Sequence, residues 1–278
     1  MLLIHKITLR EIRLPLKEPF RISSGEEVDR RIALVELEDA DGFVAWGECV
    51  AGASPNYAPE CIDTAWIMMR DYVAPRVIGR EFKEPQQIAP LLDYNFRGNN
   101  MAKAAIEMAI WDLAAQVQNI SLSKLLDGTR EKIPTGISVG LQESPDILAK
   151  KTVDYLAQGY KKVKIKIAPG QDIQFVRAAF TAAGPDAELM VDANNAYTLK
   201  DVEHLKKLDE FGLMMIEQPL AWDDVLRHAF LQEELRTPIC LDESITNIDR
   251  AEDMIKYKAG RIINIKPGRV GGFSASKA

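Results

Sequence analysis

The second half of the sequence repeats one pattern, in which a short apolar segment ends in a charged residue. These residues are Lys166, Asp192, Glu217, Asp242 and Lys266, and each follows the previous one by about 25 residues. A strand and a helix with their loops occupy such a length in a parallel barrel, whose strands all end at one face. The spacing therefore predicts successive βα units that bring five charged side chains to one barrel mouth.

Residues 129–278 are predicted to form this α/β barrel. The apolar segments predict six parallel strands, at about 133–139, 162–167, 188–192, 214–217, 239–242 and 262–265. The amphipathic segments between them predict five helices, at about 144–158, 173–182, 198–211, 222–235 and 247–258. A closed barrel has eight strands. We therefore expect a TIM-like barrel of the (β/α)7β type of which about six strands are present, and two βα units that are absent from this chain.

Residues 1–128 are predicted to form a separate α+β domain. Alternating apolar and polar residues predict a three-stranded antiparallel sheet, with strands at 2–14, 31–37 and 42–50. The polar stretch 17–30 contains Pro19 and Gly25 and is predicted to be a mobile loop. Helical periodicity then predicts three helices, at 60–72, 85–94 and 101–118.

Composition favours an enzyme of small molecules over a nucleic-acid or membrane protein. The net charge is −6, from 35 basic and 41 acidic residues, and 47% of the 278 residues are hydrophobic. Neither charge dominates, and no segment is apolar enough for a membrane span or a signal peptide. Three scattered cysteines without CxxC spacing indicate reduced thiols in the cytoplasm. The histidines, His5, His204 and His228, are predicted to have no role in the site.

The five charged residues can be interpreted chemically, as a metal site with catalytic lysines, or structurally, as helix caps and solvated side chains. Three converging carboxylates without His or Cys suit a hard cation such as Mg²⁺, and a lysine near such an ion is expected to have a lowered pKa and to act as a base. The predicted reaction is abstraction of a proton next to a carboxylate, through an enediolate. Alternatively, a single Asp at a strand end is usually a helix N-cap, and a single Lys there is usually solvated. Five such residues in one register favour the chemical reading.

The motifs KIK, DAN, IEQP, LDES and NIKPG resemble, in this order, those of the enolase superfamily, in its muconate-lactonizing-enzyme-like subgroup. The resemblance implies that residues 1–128 are a capping domain and that Asp192, Glu217 and Asp242 bind Mg²⁺, for which Mn²⁺ could substitute. It implies a second shell of Asn194 and Glu243. The implied catalytic residues are Lys166 as base, its electrostatic neighbour Lys164, and Lys266 as the base or cation on the opposite face of the substrate. A homo-oligomer acting on a small carboxylate is also implied.

The segment KPGRVGG, with Arg269 three residues after Lys266, resembles the branch of o-succinylbenzoate synthases and N-succinylamino acid racemases. This branch implies dehydration in menaquinone biosynthesis, racemisation, or both. Ser138, Arg269, Phe20 and Tyr57 are predicted to contact the substrate, although core packing is an alternative for Phe20 and Tyr57. A dipeptide epimerase or muconate-type cycloisomerase is the alternative enzyme, and a non-catalytic barrel that serves as a binding protein is the alternative of a different class.

Overall fold

Two sheets organise the computed structural model of the chain, which describes residues 1–23 and 25–278. The antiparallel sheet contains β1 (Leu2–Ile22), β2 (Gly25–Asp39), β3 (Val44–Cys49) and β4 (Glu81–Phe82), in the order β3-β2-β1-β4. The parallel sheet contains β5 (Gly136–Val139), β6 (Lys162–Lys166), β7 (Glu188–Asp192), β8 (Ile216–Glu217), β9 (Ile239–Leu241) and β10 (Ile262–Ile263). Its strands are hydrogen-bonded in sequence order, so the six predicted parallel strands are confirmed as part of a TIM-like barrel.

The predicted mobile loop at 17–30 is wrong, because these residues extend β1 and β2 into a long hairpin. The pairing continues from Pro15 opposite Asp29 to Ile22 opposite Gly25, with one irregularity between Pro15 and Phe20. Ion pairs across the ribbon, including Arg13 with Asp29, lie among exposed residues. Cross-strand charge pairs contribute to the stability of this ribbon, whose charged residues together with Pro19 and Gly25 favour a loop when only the sequence is considered. Ser24, within the same prediction, lies outside the described residues.

The helices of the first region follow the sheet. They are α1 (Ile62–Met68), α2 (Ala74–Val77), α3 (Ile88–Asp93), α4 (Asn100–Val117) and α5 (Leu122–Leu125), with a π-helical turn at Met69–Val73 and a 3₁₀ turn at Pro85–Gln87. The Ala-rich α4 was predicted within one residue at each end, and its small side chains let it pack closely on β3. At Gly47 the approach is so close that a β-carbon would lie 2.0 Å from the carbonyl oxygen of Ala105.

The helices of the second region lie between the parallel strands, except that the last two follow β10. They are α6 (Pro145–Ala157), α7 (Ile173–Ala183), α8 (Val202–Leu205), α9 (Leu226–Glu234), α10 (Ile248–Tyr257), α11 (Pro267–Val270) and α12 (Phe273–Lys277). The helix predicted at 198–211 is largely 3₁₀, at Leu199–Asp201 and Lys206–Phe211 around the short α8. Each region has its own apolar core, one under the antiparallel sheet and one between the parallel strands and their helices.

Throughout residues 1–23 and 25–278, each helix is too short or too polar to cross a lipid bilayer.

Candidate active site

Strand register brings the predicted site residues side by side. Lys166 on β6 lies opposite Asp192 on β7, and Asp192 lies opposite Glu217 on β8. Asp242 directly follows β9, and Lys266 lies between β10 and α11. Parallel strands that end at the same level place their last residues in one row. The row therefore has three carboxylates in its centre and a lysine at each end.

The three carboxylates are removed from water. Asp192 is 1% exposed, and Glu217 and Asp242 are 0% exposed. Buried carboxylates require cations or hydrogen-bond donors, because ionised groups are costly to desolvate. Burial, together with the charges of Asp192 and Asp242, raises the pKa of Glu217. Added positive charge at the centre of the row would therefore stabilise the ionised form of Glu217.

Lysines from β6 neutralise two of these carboxylates. The ammonium of Lys164 lies 2.9 Å from Asp192 Oδ2 and 3.0 Å from each carboxylate oxygen of Glu217. Lys166 Nζ donates to Asp192 Oδ2 and to Asn194 Oδ1, both at 2.6 Å. The two lysines share one face of the strand, as their spacing of two residues requires.

The opposite end of the row contains a third lysine and an aromatic ring from the capping region. Lys266 Nζ donates to Asp242 Oδ2 at 2.6 Å and to the Tyr57 hydroxyl at 3.1 Å. The ammonium lies 4.6 Å from the centroid of the Tyr57 ring. A cation over an aromatic face is attracted by the ring quadrupole. Tyr57 thus joins the capping region to the barrel at Lys266.

The lowered lysine pKa values predicted beside a bound Mg²⁺ stay a prediction, because in the conformation observed the carboxylates themselves determine the pKa values of Lys164 and Lys266. Burial alone would lower the pKa of Lys164, but the charges of Asp192 and Glu217 outweigh it and raise the pKa above its ordinary value. The same balance raises the pKa of Lys266, whose burial is outweighed by Asp242 and Tyr57. Carboxylate partners favour the charged ammonium. A metal cation bound among these carboxylates would oppose this rise of the lysine pKa values.

The donor set has the chemistry that Mg²⁺ prefers, because it offers carboxylate oxygens and neither sulfur nor imidazole. In the conformation observed, lysine ammonium groups lie against these oxygens. Within the described chain, no three Asp, Glu, His or Cys side chains converge closely enough to enclose a metal ion. The donor atoms suit a hard divalent cation, and binding one would require lysine ammonium groups to leave the carboxylate oxygens that they contact.

Asn194 and Glu243 lie beside the row. Asn194 accepts from Lys166 and donates through Nδ2 to Glu243 Oε1 at 3.2 Å, and its backbone N–H donates to Asp192 Oδ1 at 3.0 Å. Glu243 is 2% exposed, and its Oε2 atom has no hydrogen-bond partner. Burial, with the charges of Asp242 and Asp192, raises the pKa of Glu243 to about 7. This buried oxygen has no partner and lies beside the three carboxylates, so it is available to interact with a cation.

The predicted substrate contacts surround the row in different ways. Ser138 lies opposite Lys164 in the sheet, and its buried hydroxyl has no partner. The hairpin of β1 and β2 reaches the mouth, where a β-carbon at Gly140 would lie 3.5 Å from the ring of Phe20. From the same hairpin, the Ser23 hydroxyl lies 3.1 Å from the carbonyl oxygen of Asn194. The hairpin therefore covers the edge of the site at β5 and β7.

Arg269 lies behind Asp242, and its guanidinium is occupied by protein groups. Its side chain contacts Asp242 Oδ1 and donates to the Tyr57 hydroxyl at 2.8 Å and to the carbonyl oxygen of Ile245 at 2.7 Å. The residue is 4% exposed. These contacts hold one carboxylate and one aromatic side chain of the site, whereas a direct contact with substrate stays a prediction.

Two polar residues of the site were missed by sequence reasoning. Gln218 is fully buried, and its Oε1 accepts from the backbone N–H groups of Asp242 at 3.0 Å and Ser244 at 3.3 Å. Asn264 Nδ2 donates to Glu217 Oε1 at 3.1 Å. The signal for Asn264 was its place directly after the last apolar segment, two residues before Lys266. The signal for Gln218 was its place directly after the strand-ending Glu217.

The loop after β8 is fixed by His228, which is 0% exposed. Its Nε2 accepts from the Leu220 N–H at 3.1 Å, so its Nδ1–H donates to the carbonyl oxygen of Asp224 at 2.5 Å. This pattern requires the neutral ring. Burial lowers the pKa of His228 to about 4.

We expect His228 to make the protein less stable in mild acid. Its pKa is lower in the folded chain than in the unfolded chain, so the unfolded chain binds the proton first as the pH falls below about 6.5. The contribution of neutral His228 to the free energy of unfolding should be fully present above this pH. It should fall as the pH is lowered towards 4, by about 1.4 kcal/mol per pH unit. Urea unfolding at pH 7 and pH 5 should show a smaller decrease for His228→Gln than for the wild type. Equal decreases would contradict the assignment.

Comparison with known proteins gives consistent matches along the chain. Residues 4–127 match the sequence model of the mandelate racemase / muconate lactonizing enzyme N-terminal domain, and residues 148–278 match that of the enolase C-terminal domain-like family. An o-succinylbenzoate synthase of Bacillus subtilis is 45% identical over 99% of this chain and 73% of its own length. An N-succinylamino acid racemase of Amycolatopsis is 43% identical over 96% of this chain and 72% of its own length.

A solved structure gives the same result for the fold. The enolase superfamily member from Listeria innocua superposes with a TM-score of 0.95 at 39% identity, covering 99% of this chain and 74% of the other.

Proposed function

The chain belongs to the mandelate racemase and muconate lactonizing enzyme family of the enolase superfamily, and we propose that it removes a proton α to a carboxylate and stabilises the resulting enediolate. We propose o-succinylbenzoate synthesis and N-succinylamino acid racemisation as its activities, since these are the activities named for its relatives. The observation that carries the proposal is the row of three buried carboxylates with Lys166 at one end and Lys266 at the other.

The proposal includes a divalent cation held by Asp192, Glu217 and Asp242. Mg²⁺ is the expected ion, with Mn²⁺ as a substitute, because the ligands are all oxygens. When bound, the ion supplies positive charge that stabilises the enediolate oxygens. In the same proposal, Asn194 and Glu243 lie beside the ligands without binding the ion. The hydrogen bond between Asn194 and Glu243 helps to orient the ligands.

The lysines would move the protons. In the synthase reaction, Lys166 removes the α-proton and then gives a proton to the departing hydroxyl, while the ammonium of Lys266 stabilises the enediolate. In the racemase reaction, one lysine removes the proton and the other returns one to the opposite face. Lys164, between Asp192 and Glu217, would tune the charge near Lys166. Both reactions use the same groups, so one site can support both activities.

Substrate contacts are proposed for Ser138, Phe20, Tyr57 and Arg269. The free hydroxyl of Ser138 supports a direct hydrogen bond. The place of Phe20 in the hairpin supports closure over a bound molecule. For Tyr57 and Arg269, the contacts with Asp242 support a role in holding the site around the substrate. A cytoplasmic location and a homo-oligomeric assembly stay predictions.

Parallel assays with Mg²⁺ test the proposed activities. One assay follows racemisation of an N-succinyl amino acid by polarimetry, and a second follows dehydration of the cyclohexadiene precursor of o-succinylbenzoate by absorbance. A hydrophobic dipeptide serves as the comparison substrate. We expect turnover of at least one of the first two substrates and none of the dipeptide. Preferential epimerisation of the dipeptide would contradict the assignment and support the epimerase alternative.

A further inference from the structure

The segment that follows Lys266 is held by the capping region as well as by the barrel. From Gly268 onward this segment runs along α4. Asn100 Nδ2, at the start of α4, donates to the carbonyl oxygens of Arg269 at 2.9 Å and Thr246 at 3.0 Å. A β-carbon at Gly268 would lie 2.3 Å from a methyl group of Val50, so this approach requires glycine. The position of Lys266 thus depends on contacts made outside the barrel.

One buried carboxylate provides several of these contacts. Glu107, in the middle of α4, is 0% exposed. Its Oε2 accepts from the Phe273 N–H at 2.8 Å, and its Oε1 accepts from the Ser274 N–H at 3.0 Å and the Ser274 hydroxyl at 2.6 Å. Trp111 Nε1 also donates to Oε1, at 2.7 Å. Three of the four donors therefore belong to the segment after Lys266.

Glu107 and this segment fit so closely that no side chain can be accommodated at Gly272. Gly272 has a φ of 122°, a conformation that favours glycine. A β-carbon at this residue would lie 2.2 Å from Glu107 Oε2. A buried carboxylate with four donors in one geometry is also costly to displace, because charge-assisted hydrogen bonds are strong and the charge cannot reach water.

We propose that Glu107 is a positioning residue for Lys266, acting through the backbone of residues 267–274. The proposal rests on the function proposed above, in which Lys266 serves one face of the substrate and Lys166 serves the other. Among the described residues, no hydrogen bond of the Glu107 side chain reaches β6, the strand of Lys166. Loosening the Glu107 contacts should therefore slow proton transfer on the substrate face served by Lys266 more than on the face served by Lys166. A displacement of about 1 Å in a catalytic group can cost about 100-fold in rate.

The test compares α-proton exchange of the two enantiomers of an N-succinyl amino acid in D₂O with Mg²⁺, each measured separately by NMR. Lys266→Ala first identifies the enantiomer whose exchange depends on Lys266. Glu107→Gln keeps the side-chain volume but turns an NH₂ group towards backbone donors. We expect exchange of that enantiomer to fall by about tenfold or more and exchange of the other by less than about twofold. Ser274→Ala removes one donor on the barrel side. It should change the ratio of the two enantiomers' exchange rates in the same direction, but by a smaller factor.

Asp112→Asn is the matched control. Asp112 lies on the same helix and accepts from the backbone N–H of Trp46 at 3.1 Å, on the side of the antiparallel sheet. This variant should keep the wild-type ratio of the two exchange rates. Equal loss for both enantiomers in Glu107→Gln, or an unchanged ratio in both Glu107→Gln and Ser274→Ala, would overturn the proposal.

A second readout separates this proposal from the proposed function. Hydrogen exchange by mass spectrometry should show faster exchange in residues 267–277 of Glu107→Gln or Ser274→Ala, while β6 keeps its wild-type protection. If the wild type exchanges neither enantiomer, the proposed function fails, and the amide exchange still decides whether Glu107 holds the segment. Unchanged amide exchange in residues 267–277 would reject that role.

Discussion

Replacing Lys166 with alanine is expected to lower both racemisation and dehydration by about 10³-fold, within the range that positioned general bases contribute. Racemisation requires both lysines, and the dehydration proposed here requires Lys166 in each of its proton transfers. Lys166 Nζ lies against Asp192 and Asn194 in a position that is 8% exposed, so bulk water cannot readily take its place. Initial rates at saturating Mg²⁺ measure the effect.

Lys162→Ala is the matched control for this prediction. Lys162 is the first residue of β6, at the opposite end of the strand from Lys166. A lysine of the same strand that lies away from the mouth should change both rates by less than about twofold, as is usual for substitutions outside a site. Similar rate losses in both variants would indicate damage to β6 and would contradict a specific role for Lys166.

Replacing Glu217 with glutamine is expected to abolish Mg²⁺ binding. Glu217 is the central carboxylate of the row, with Asp192 and Asp242 on either side, and is fully buried. A ligand that binds only the folded state stabilises it by about 2.7 kcal/mol when present at 100 times its Kd. Mg²⁺ should therefore raise the Tm of the wild type by several degrees and leave the Tm of Glu217→Gln nearly unchanged. Calorimetric titration with Mg²⁺ should show heat only for the wild type.

Glu188→Gln controls for the loss of one negative charge. Glu188 is the first residue of β7 and is exposed, away from the strand end that carries Asp192. This variant should keep the full Mg²⁺-dependent rise in Tm. A Glu217→Gln protein that retains the rise would contradict the ligand assignment, whatever its activity.

Sequence periodicity predicted the part of the site that depends on strand register. Lys166, Asp192 and Glu217 are adjacent because each ends a parallel strand, and one residue at the end of each apolar segment was enough to find them. Asn264 could have been found by the same rule, because it directly follows β10.

Contacts between distant segments could not be predicted in this way. Tyr57 contacts Asp242, 185 residues away in sequence. Glu107 contacts Ser274, 167 residues away, and nothing in the Ala-rich pattern of α4 distinguishes Glu107 from a solvated side chain. The long hairpin was missed because Pro19, Gly25 and many charged residues in this stretch favour a loop, whereas charge pairs such as Arg13 with Asp29 join its two strands. Such features depend on how the two regions meet, which local propensity does not determine.

The lysine pKa values show the same limit. Ammonium groups crowded near one another and a Mg²⁺ were expected to have lowered pKa values, whereas the carboxylates that lie against them act in the opposite direction. For Lys164 the charges of Asp192 and Glu217 outweigh burial. The sign of a pKa shift depends on which charges lie within a few ångströms, and this follows from the fold rather than from the motif.

The central claim is that two lysines remove the α-proton from opposite faces of one carboxylate substrate. Its most direct test is the exchange of the α-proton with D₂O for each enantiomer of an N-succinyl amino acid, followed by NMR in the wild type, Lys166→Ala and Lys266→Ala. We predict that the wild type exchanges both enantiomers and that each variant loses the exchange of a different one. Absence of exchange in the wild type, or full exchange of both enantiomers in either variant, would contradict the claim.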